Sequence, residues 1–165
     1  MPHFGTSITN TILQGKTVQT VAVLEHLRAH QRVRGPFLVL APLSTLGHWK
    51  REFEEWTDMN VVYYHDPQGG AEARALIREY EWRYPGPNGV KLAQRGVFKF
   101  NVLITSYHVF MADWEEFKEI KWKYVVVDEA HGEEVPILLT SIQNYSALPI
   151  HAPTELPWRS SILQH

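Results

Sequence analysis

Tyr124-Val125-Val126-Val127-Asp128-Glu129-Ala130-His131 is an apolar run that ends abruptly on two adjacent carboxylates. Four consecutive apolar residues, rich in β-branched valine, are too short for a helix and read as a buried strand. A strand of this kind belongs in a parallel sheet covered by helices on both faces. Ligands of such sheets bind beyond the carboxyl ends of the strands. Asp128 and Glu129 therefore stand where a metal ion and a water molecule would be handled.

The same grammar recurs on either side. Phe37-Leu38-Val39-Leu40-Ala41 follows the breaker Gly35-Pro36 and is again apolar throughout. Val61-Val62-Tyr63-Tyr64 and Asn101-Val102-Leu103-Ile104-Thr105 are further strands. Helices alternate with them. Residues 16–30 carry Val18, Val21, Ala22 and Leu24 at helical spacing, and Arg28 and His30 lie near the end where cations suit the dipole. Residues 42–57 place Leu46, Trp49, Phe53 and Trp56 on one apolar face, with Ser44 or Thr45 as the N-cap. Residues 71–82 form a helix whose wet side holds Glu72, Arg74, Arg78 and Glu79, and residues 109–117 form another. Pro85-Gly86-Pro87-Asn88-Gly89 is a loop. Past His131, Pro136, Pro149, Pro153 and Pro157 interrupt any period, which predicts an irregular tail over 132–165. The expected fold is α/β: a three-layer parallel sheet with helices on both faces.

A second motif, Gly15-Lys16-Thr17, opens the first expected helix. It is the ending of a phosphate loop, G-x-x-x-x-G-K-[ST]. In that loop backbone N–H groups cradle phosphate, the lysine reaches the outer oxygens and the hydroxyl ligates Mg²⁺. The leading position here is Asn10, and the interior, Thr11-Ile12-Leu13-Gln14, holds no glycine. With the carboxylates a hundred residues later, the pair implies nucleoside triphosphate chemistry: Asp128 for the metal, Glu129 for the attacking water.

Other features are bland. Trp49, Phe53 and Trp56 share a helix face and read as core rather than as a base-stacking platform. The nine histidines lack a ligand spacing such as H-E-x-x-H, so no metal is expected beyond one carried by a nucleotide. Arg28, Arg32 and Arg34 read as a solvated helix end. A net charge of −2 gives no global field toward nucleic acid, so any such contact must be local. With no cysteine there is neither a disulfide framework nor a thiolate metal site. No apolar run approaches the ~20 residues that span a bilayer, and no signal pattern opens the chain, so it reads as intracellular with no membrane partner.

Residues 15–131 resemble the first RecA-like lobe of the Swi/Snf-type helicase-like ATPases, the motors of chromatin remodelling. Gly15-Lys16-Thr17-Val18-Gln19-Thr20 is similar to the family's motif I with its trailing glutamine. Residues 37–46 followed by Trp49, Glu52-Phe53 and Trp56 resemble motif Ia and its helix. Val102-Leu103-Ile104-Thr105-Ser106-Tyr107 resembles the next DNA-side motif, and Asp128 to His131 is similar to motif II. Phe98-Lys99-Phe100-Asn101 and Trp122 are most similar to the chromodomain-helicase-DNA-binding subgroup.

The resemblance implies ATP and Mg²⁺ as cofactors and duplex DNA, as in a nucleosome, as partner. It puts nucleotide on Gly15, Lys16, Thr17 and Gln19, metal on Thr17 and Asp128, and acid–base work on Asp128 and Glu129. Coupling falls to His131. The DNA-side residues are Pro42, Ser44, Thr45, Thr105, Ser106 and Tyr107. A nuclear location follows from it alone. The implied layout is an atypical N-terminal segment over 1–14, the RecA-like lobe over 15–131 and a divergent, poorly ordered tail over 132–165. The pattern departs from the family in several places, and Leu138-Leu139-Thr140 with Gln143-Asn144 echoes its motif III without the Gly-Thr-Pro centre. Leu13 stands where the family has glycine, Gly132-Glu133-Glu134-Val135 replaces a basic segment, and a second RecA-like lobe is missing. The expectation is an incomplete ATP-binding lobe that by itself binds nucleotide at most. The alternative is a non-catalytic remnant or interaction fragment that binds none. A phosphate-loop kinase is a weaker third reading, because it leaves residues 42–56 unexplained.

Overall fold

The computed structural model describes residues 8–65, 70–84, 97–128 and 146–149; for 8–14 and 146–149 it describes the backbone alone. The elements are α1 (Ile8–His30), β1 (Phe37–Leu40), α2 (Leu43–Trp56), β2 (Val61–Tyr63), α3 (Gly70–Ile77) with a π-helical extension (Arg78–Trp82), β3 (Val102–Thr105), α4 (Tyr107–Ala112), α5 (Trp114–Phe117), β4 (Tyr124–Val127) and β5 (Ser146–Pro149). All strand pairs are parallel, in the order β2-β3-β1-β4-β5. This is the expected three-layer RecA-like α/β arrangement.

The register explains why the strands are apolar throughout. Phe37 aligns with Val102 and Tyr124, and Leu38 aligns with Leu103 and Val125. Alternate residues therefore feed two separate cores. On one face Phe37, Val39, Ala41, Val102, Ile104 and Val126 meet Val21, Leu24 and Leu27 of α1 and Leu46, Trp49 and Phe53 of α2. On the other, Leu38, Leu40, Leu103, Val125 and Val127 meet an aromatic layer that includes Tyr64, Trp82, Phe110, Phe117 and Trp122. Phe117 touches four of those rings, with centroids 5.0–6.0 Å apart. Each such buried side chain contributes about 1.5–3 kcal/mol of burial free energy.

The boundaries differ from the sequence expectation in ways that have local causes. α1 does not begin at Lys16 but runs from Ile8, so Gly15-Lys16-Thr17 lies inside it. Residues 8–14 contain neither proline nor glycine, and nothing in them stops a helix. α2 begins at Leu43 with Pro42 at the cap position, and neither Ser44 nor Thr45 caps it. Trp56, expected on the apolar face, is 58% exposed, and its indole donates to Glu52 at 3.1 Å. It is the last residue of the helix. The expected helix over 109–117 is two short helices broken at Asp113. Ser146–Pro149 pairs with β4, so a strand lies within the stretch expected to be an irregular tail; the rest of 132–165 lies outside the described residues. Its Pro149 ends a strand whose described neighbour is β4 alone, a position that tolerates a missing donor.

One glycine is obligatory. Gly35 has φ +97°, and a Cβ added there would sit 2.5 Å from the carbonyl oxygen of Asn101. Asn101 fastens the same corner: its side-chain amide donates to the carbonyl of Arg34 at 2.7 Å, and its carbonyl accepts from the N–H of Phe37 at 2.8 Å.

Candidate functional site

The sheet order reverses between β1 and β4: the chain moves from β1 to β2 and β3 on one side, then to β4 and β5 on the other. A crevice opens beyond the carboxyl ends of strands at such a switch point. Pro42 follows the end of β1, and Asp128 follows the end of β4. The N–H of Asp128 donates to the carbonyl of Leu40 at 2.8 Å, extending the β1–β4 ladder by one bond. Asp128 is thus a rigid strand tip.

Two side chains from other elements hold it. The indole N–H of Trp49 donates to Oδ2 of Asp128 at 2.8 Å, and the hydroxyl of Tyr107 donates to the Asp128 carbonyl at 3.1 Å. Trp49 is fully buried, so its polar N–H requires an acceptor. Among the described residues, the other carboxylate oxygen of Asp128 accepts no hydrogen bond and is available to a hard cation such as Mg²⁺. The acidic half of the site therefore fits a metal ion.

The phosphate half stands otherwise. Within a continuous helix the N–H groups of Gly15, Lys16 and Thr17 point back along the axis to carbonyls four residues earlier. They do not form a cradle in this conformation. Gly15 makes no use of its missing side chain, since an added Cβ would meet nothing within 4 Å. Thr17 is buried and Gln19 is exposed. Lys16 does lie toward the correct end of the sheet. The link 31–36 returns α1 to the start of β1, so α1 runs antiparallel to the strand, and Lys16 stands ~20 Å along the helix from His30.

The expected DNA-side residues divide into two groups. Ser44 is exposed on the first turn of α2. Thr45 is half-buried, and both its N–H and its hydroxyl donate to the Pro42 carbonyl, at 2.9 and 3.0 Å. Thr105 and Ser106 are turned inward. The Thr105 hydroxyl is buried and donates to the carbonyl of Tyr64 at 2.8 Å, while Ser106 caps α4 by accepting from the N–H of Val109 at 3.3 Å. Glu129 and His131 lie outside the described residues.

A polar cluster that sequence reading placed on the wet side of a helix is half-buried instead. Asp113 accepts from Tyr64 at 2.5 Å, from Arg74 through Nε at 2.7 Å and Nη2 at 3.1 Å, and from Arg78 at 3.1 Å. Arg78 also donates to the Tyr64 hydroxyl. Burial pushes the Tyr64 phenol well above its usual range, and the bond to Asp113 adds to that. The spacing Arg74–Arg78 offered a signal in retrospect, because residues four apart share a helix face and can converge on one carboxylate.

The SNF2-related domain model matches residues 13–134. The chain is 45% identical over 117 residues to Chromodomain-helicase-DNA-binding protein 6 of Rattus norvegicus, covering 71% of this chain and 4% of that protein. It is 41% identical over 117 residues to Chromodomain-helicase-DNA-binding protein 8 of Homo sapiens, again covering 71% of this chain and 4% of the relative. Protein 8 of Xenopus tropicalis is 41% identical over the same length, covering 5% of it. The chain thus spans only a small part of the length of the relatives it matches. A parallel sheet with an aspartate at its switch point, followed over most of its length by this match, has one reading: the chain belongs to the SNF2-related domain family, as a segment of the N-terminal, chromodomain-helicase-DNA-binding type of lobe.

Proposed function

We propose that the chain is the ATP-side lobe of a chromatin-remodelling, DNA-translocating ATPase. The observation that carries this reading is Asp128, fixed at the carboxyl end of β4 with one carboxylate oxygen turned to no described partner. In this reading Asp128 and Thr17 hold Mg²⁺, and Glu129 polarises the attacking water. Lys16 reaches phosphate, supported by Gly15 and Gln19, and His131 couples the site to DNA. Pro42, Ser44 and Thr45 meet the DNA backbone, where hydroxyl and N–H donors position a duplex without reading its sequence. Thr105, Ser106 and Tyr107 support that surface from beneath. Duplex DNA or a nucleosome is the partner, the nucleus the location, and a second RecA-like lobe supplies the rest of the catalytic machinery. Transition-state arginines of the kind contributed by a partner lobe are worth ~10³–10⁵ in rate in other NTPases. The chain alone accordingly binds nucleotide and hydrolyses little.

The second reading, a lobe that binds no nucleotide, is favoured by one observation: α1 is continuous through Gly15-Lys16-Thr17. Binding would require its first turns to unwind into a loop. Thermal unfolding with and without Mg-ADP, beside Lys16→Ala, separates the two. Ligand at ~100 times its dissociation constant adds ~2.7 kcal/mol. For a domain of this size that is a rise of roughly 5–10 °C. A rise abolished by Lys16→Ala supports the ATP-binding lobe; a flat response from folded protein supports the second reading.

A further inference from the structure

We infer that Trp49 is a positioning residue for Asp128, tying the helix that carries Ser44 and Thr45 to the metal-ligating carboxylate. This rests on the reading of Asp128 as a metal ligand.

Trp49 and Asp128 are far apart in sequence and meet only through the fold. The bond is 2.8 Å long and the indole is fully buried, so water does not compete for the N–H as it would at the surface, while the half-buried carboxylate stays open on its other side. A carboxylate on a strand tip can rotate about its terminal torsion, which is broad and weakly restrained. The indole removes that freedom by occupying Oδ2 and leaves Oδ1 to face a cation. A partner that orients a metal-ligating group typically contributes 10–100-fold in metal affinity. Trp49 also belongs to α2, little more than one turn after Ser44 and Thr45. Its ring packs on Phe53 in the core beneath α2, with centroids 6.2 Å apart. A displacement of α2 therefore reaches Asp128 through a rigid aromatic strut rather than through a flexible loop. The bond to Asp128 shows why a tryptophan serves here: phenylalanine would keep a smaller aromatic ring in the core but offers no donor.

The test uses Mn²⁺, which shares the oxygen-ligand preference of Mg²⁺ and broadens nearby NMR signals. The probe is the set of indole N–H resonances of the ¹⁵N-labelled chain, which has six tryptophans. The missing peak in Trp49→Phe assigns Trp49. Substoichiometric Mn²⁺ is expected to broaden the Trp49 resonance before the others, and Asp128→Asn is expected to abolish this. Mn²⁺ affinity, read from water proton relaxation, is expected to fall about tenfold in Trp49→Phe. A Trp49 resonance broadened no sooner than the others overturns the inference, as does a folded Trp49→Phe chain with unchanged Mn²⁺ affinity. Preferential broadening with no Mg-ADP effect on unfolding leaves the inference standing and refutes nucleotide binding by this chain, so the two failures are distinguishable.

Discussion

Tyr64 and Asp113 are joined by a 2.5 Å hydrogen bond from the phenol to Oδ2. The bond links the residue that follows β2 to the break between α4 and α5. Arg74 and Arg78 converge on the same carboxylate, so four side chains from three elements share one polar centre. The centre seals the aromatic core at the carboxyl end of β2, and its parts are individually unstable without one another. Removing one partner leaves the others desolvated and unpaired.

Asp113→Asn should destabilise the chain by about 2–4 kcal/mol at neutral pH. The cost stays below that of a fully enclosed ion pair because the Asp113, Arg74 and Arg78 side chains retain 12%, 13% and 22% exposure. Burial alone would raise the Asp113 carboxyl. Hydrogen bonds from Arg74 and Tyr64 and the charges of both arginines outweigh burial and hold the carboxyl below its ordinary range. A carboxyl depressed in the folded state contributes stability that is present above its unfolded pKa and lost as pH falls through the folded one. The difference between wild type and Asp113→Asn, measured by urea unfolding, should therefore be constant from about pH 5 to 8 and shrink below about pH 4. A difference that grows with acidification would remove the ion centre from the account.

Gly35→Ala should cost at least about 2 kcal/mol, since it adds left-handed strain to a collision with backbone. The added methyl would lie 2.5 Å from the Asn101 carbonyl oxygen, which cannot withdraw without breaking its bond to Phe37. Thermal unfolding reads this directly, and a melting temperature equal to wild type would show that the 31–36 link can re-form around alanine.

Gly15→Ala should stabilise the free chain by about 0.5–1 kcal/mol, the usual gain on replacing glycine within a helix. There is open space for the methyl and no positive φ at this position. The same substitution should weaken any Mg-ADP binding, because a phosphate loop needs the helix start to unwind. A loss of stability on Gly15→Ala would mean that Gly15 occupies a non-helical conformation in solution.

Thr105→Val should cost about 1–2 kcal/mol, because the buried Tyr64 carbonyl loses its hydroxyl donor. Its effect on duplex DNA binding should be small. Ser44→Ala combined with Thr45→Ala should do the reverse: near-neutral stability and weaker DNA binding, read by fluorescence anisotropy. If Thr105→Val weakened DNA binding while leaving stability intact, the inward orientation of its hydroxyl would be irrelevant to function.

Local sequence determined strands β1 to β4, the three-layer architecture and the identity of Asp128 as a strand-tip carboxylate, but not β5. The physical reason is that a strand buried on both faces must be apolar or have its polar atoms paired, and β1, β3 and β4 are apolar except for the terminal Thr105, with expected ends within a residue of those observed. Leu46, Trp49 and Phe53 announced α2 for the same reason, by helical spacing of what must be buried. Tertiary structure alone decided what the polar atoms do. Trp49 reads as core in any periodic analysis and is core, yet its N–H finds Asp128 only because β1 and β4 are neighbours. Arg74 and Arg78 read as a wet helix face until Tyr64 and Asp113 arrive from elsewhere in the chain. The start of α1 is not legible in the sequence, because Gly15-Lys16-Thr17 signals a loop by motif while residues 8–14 contain no residue that forbids a helix. Burial of apolar surface is a one-residue property with a period, so it can be read along the chain. Pairing of buried donors and acceptors is a two-residue property set by three-dimensional proximity, and one-dimensional order does not contain it.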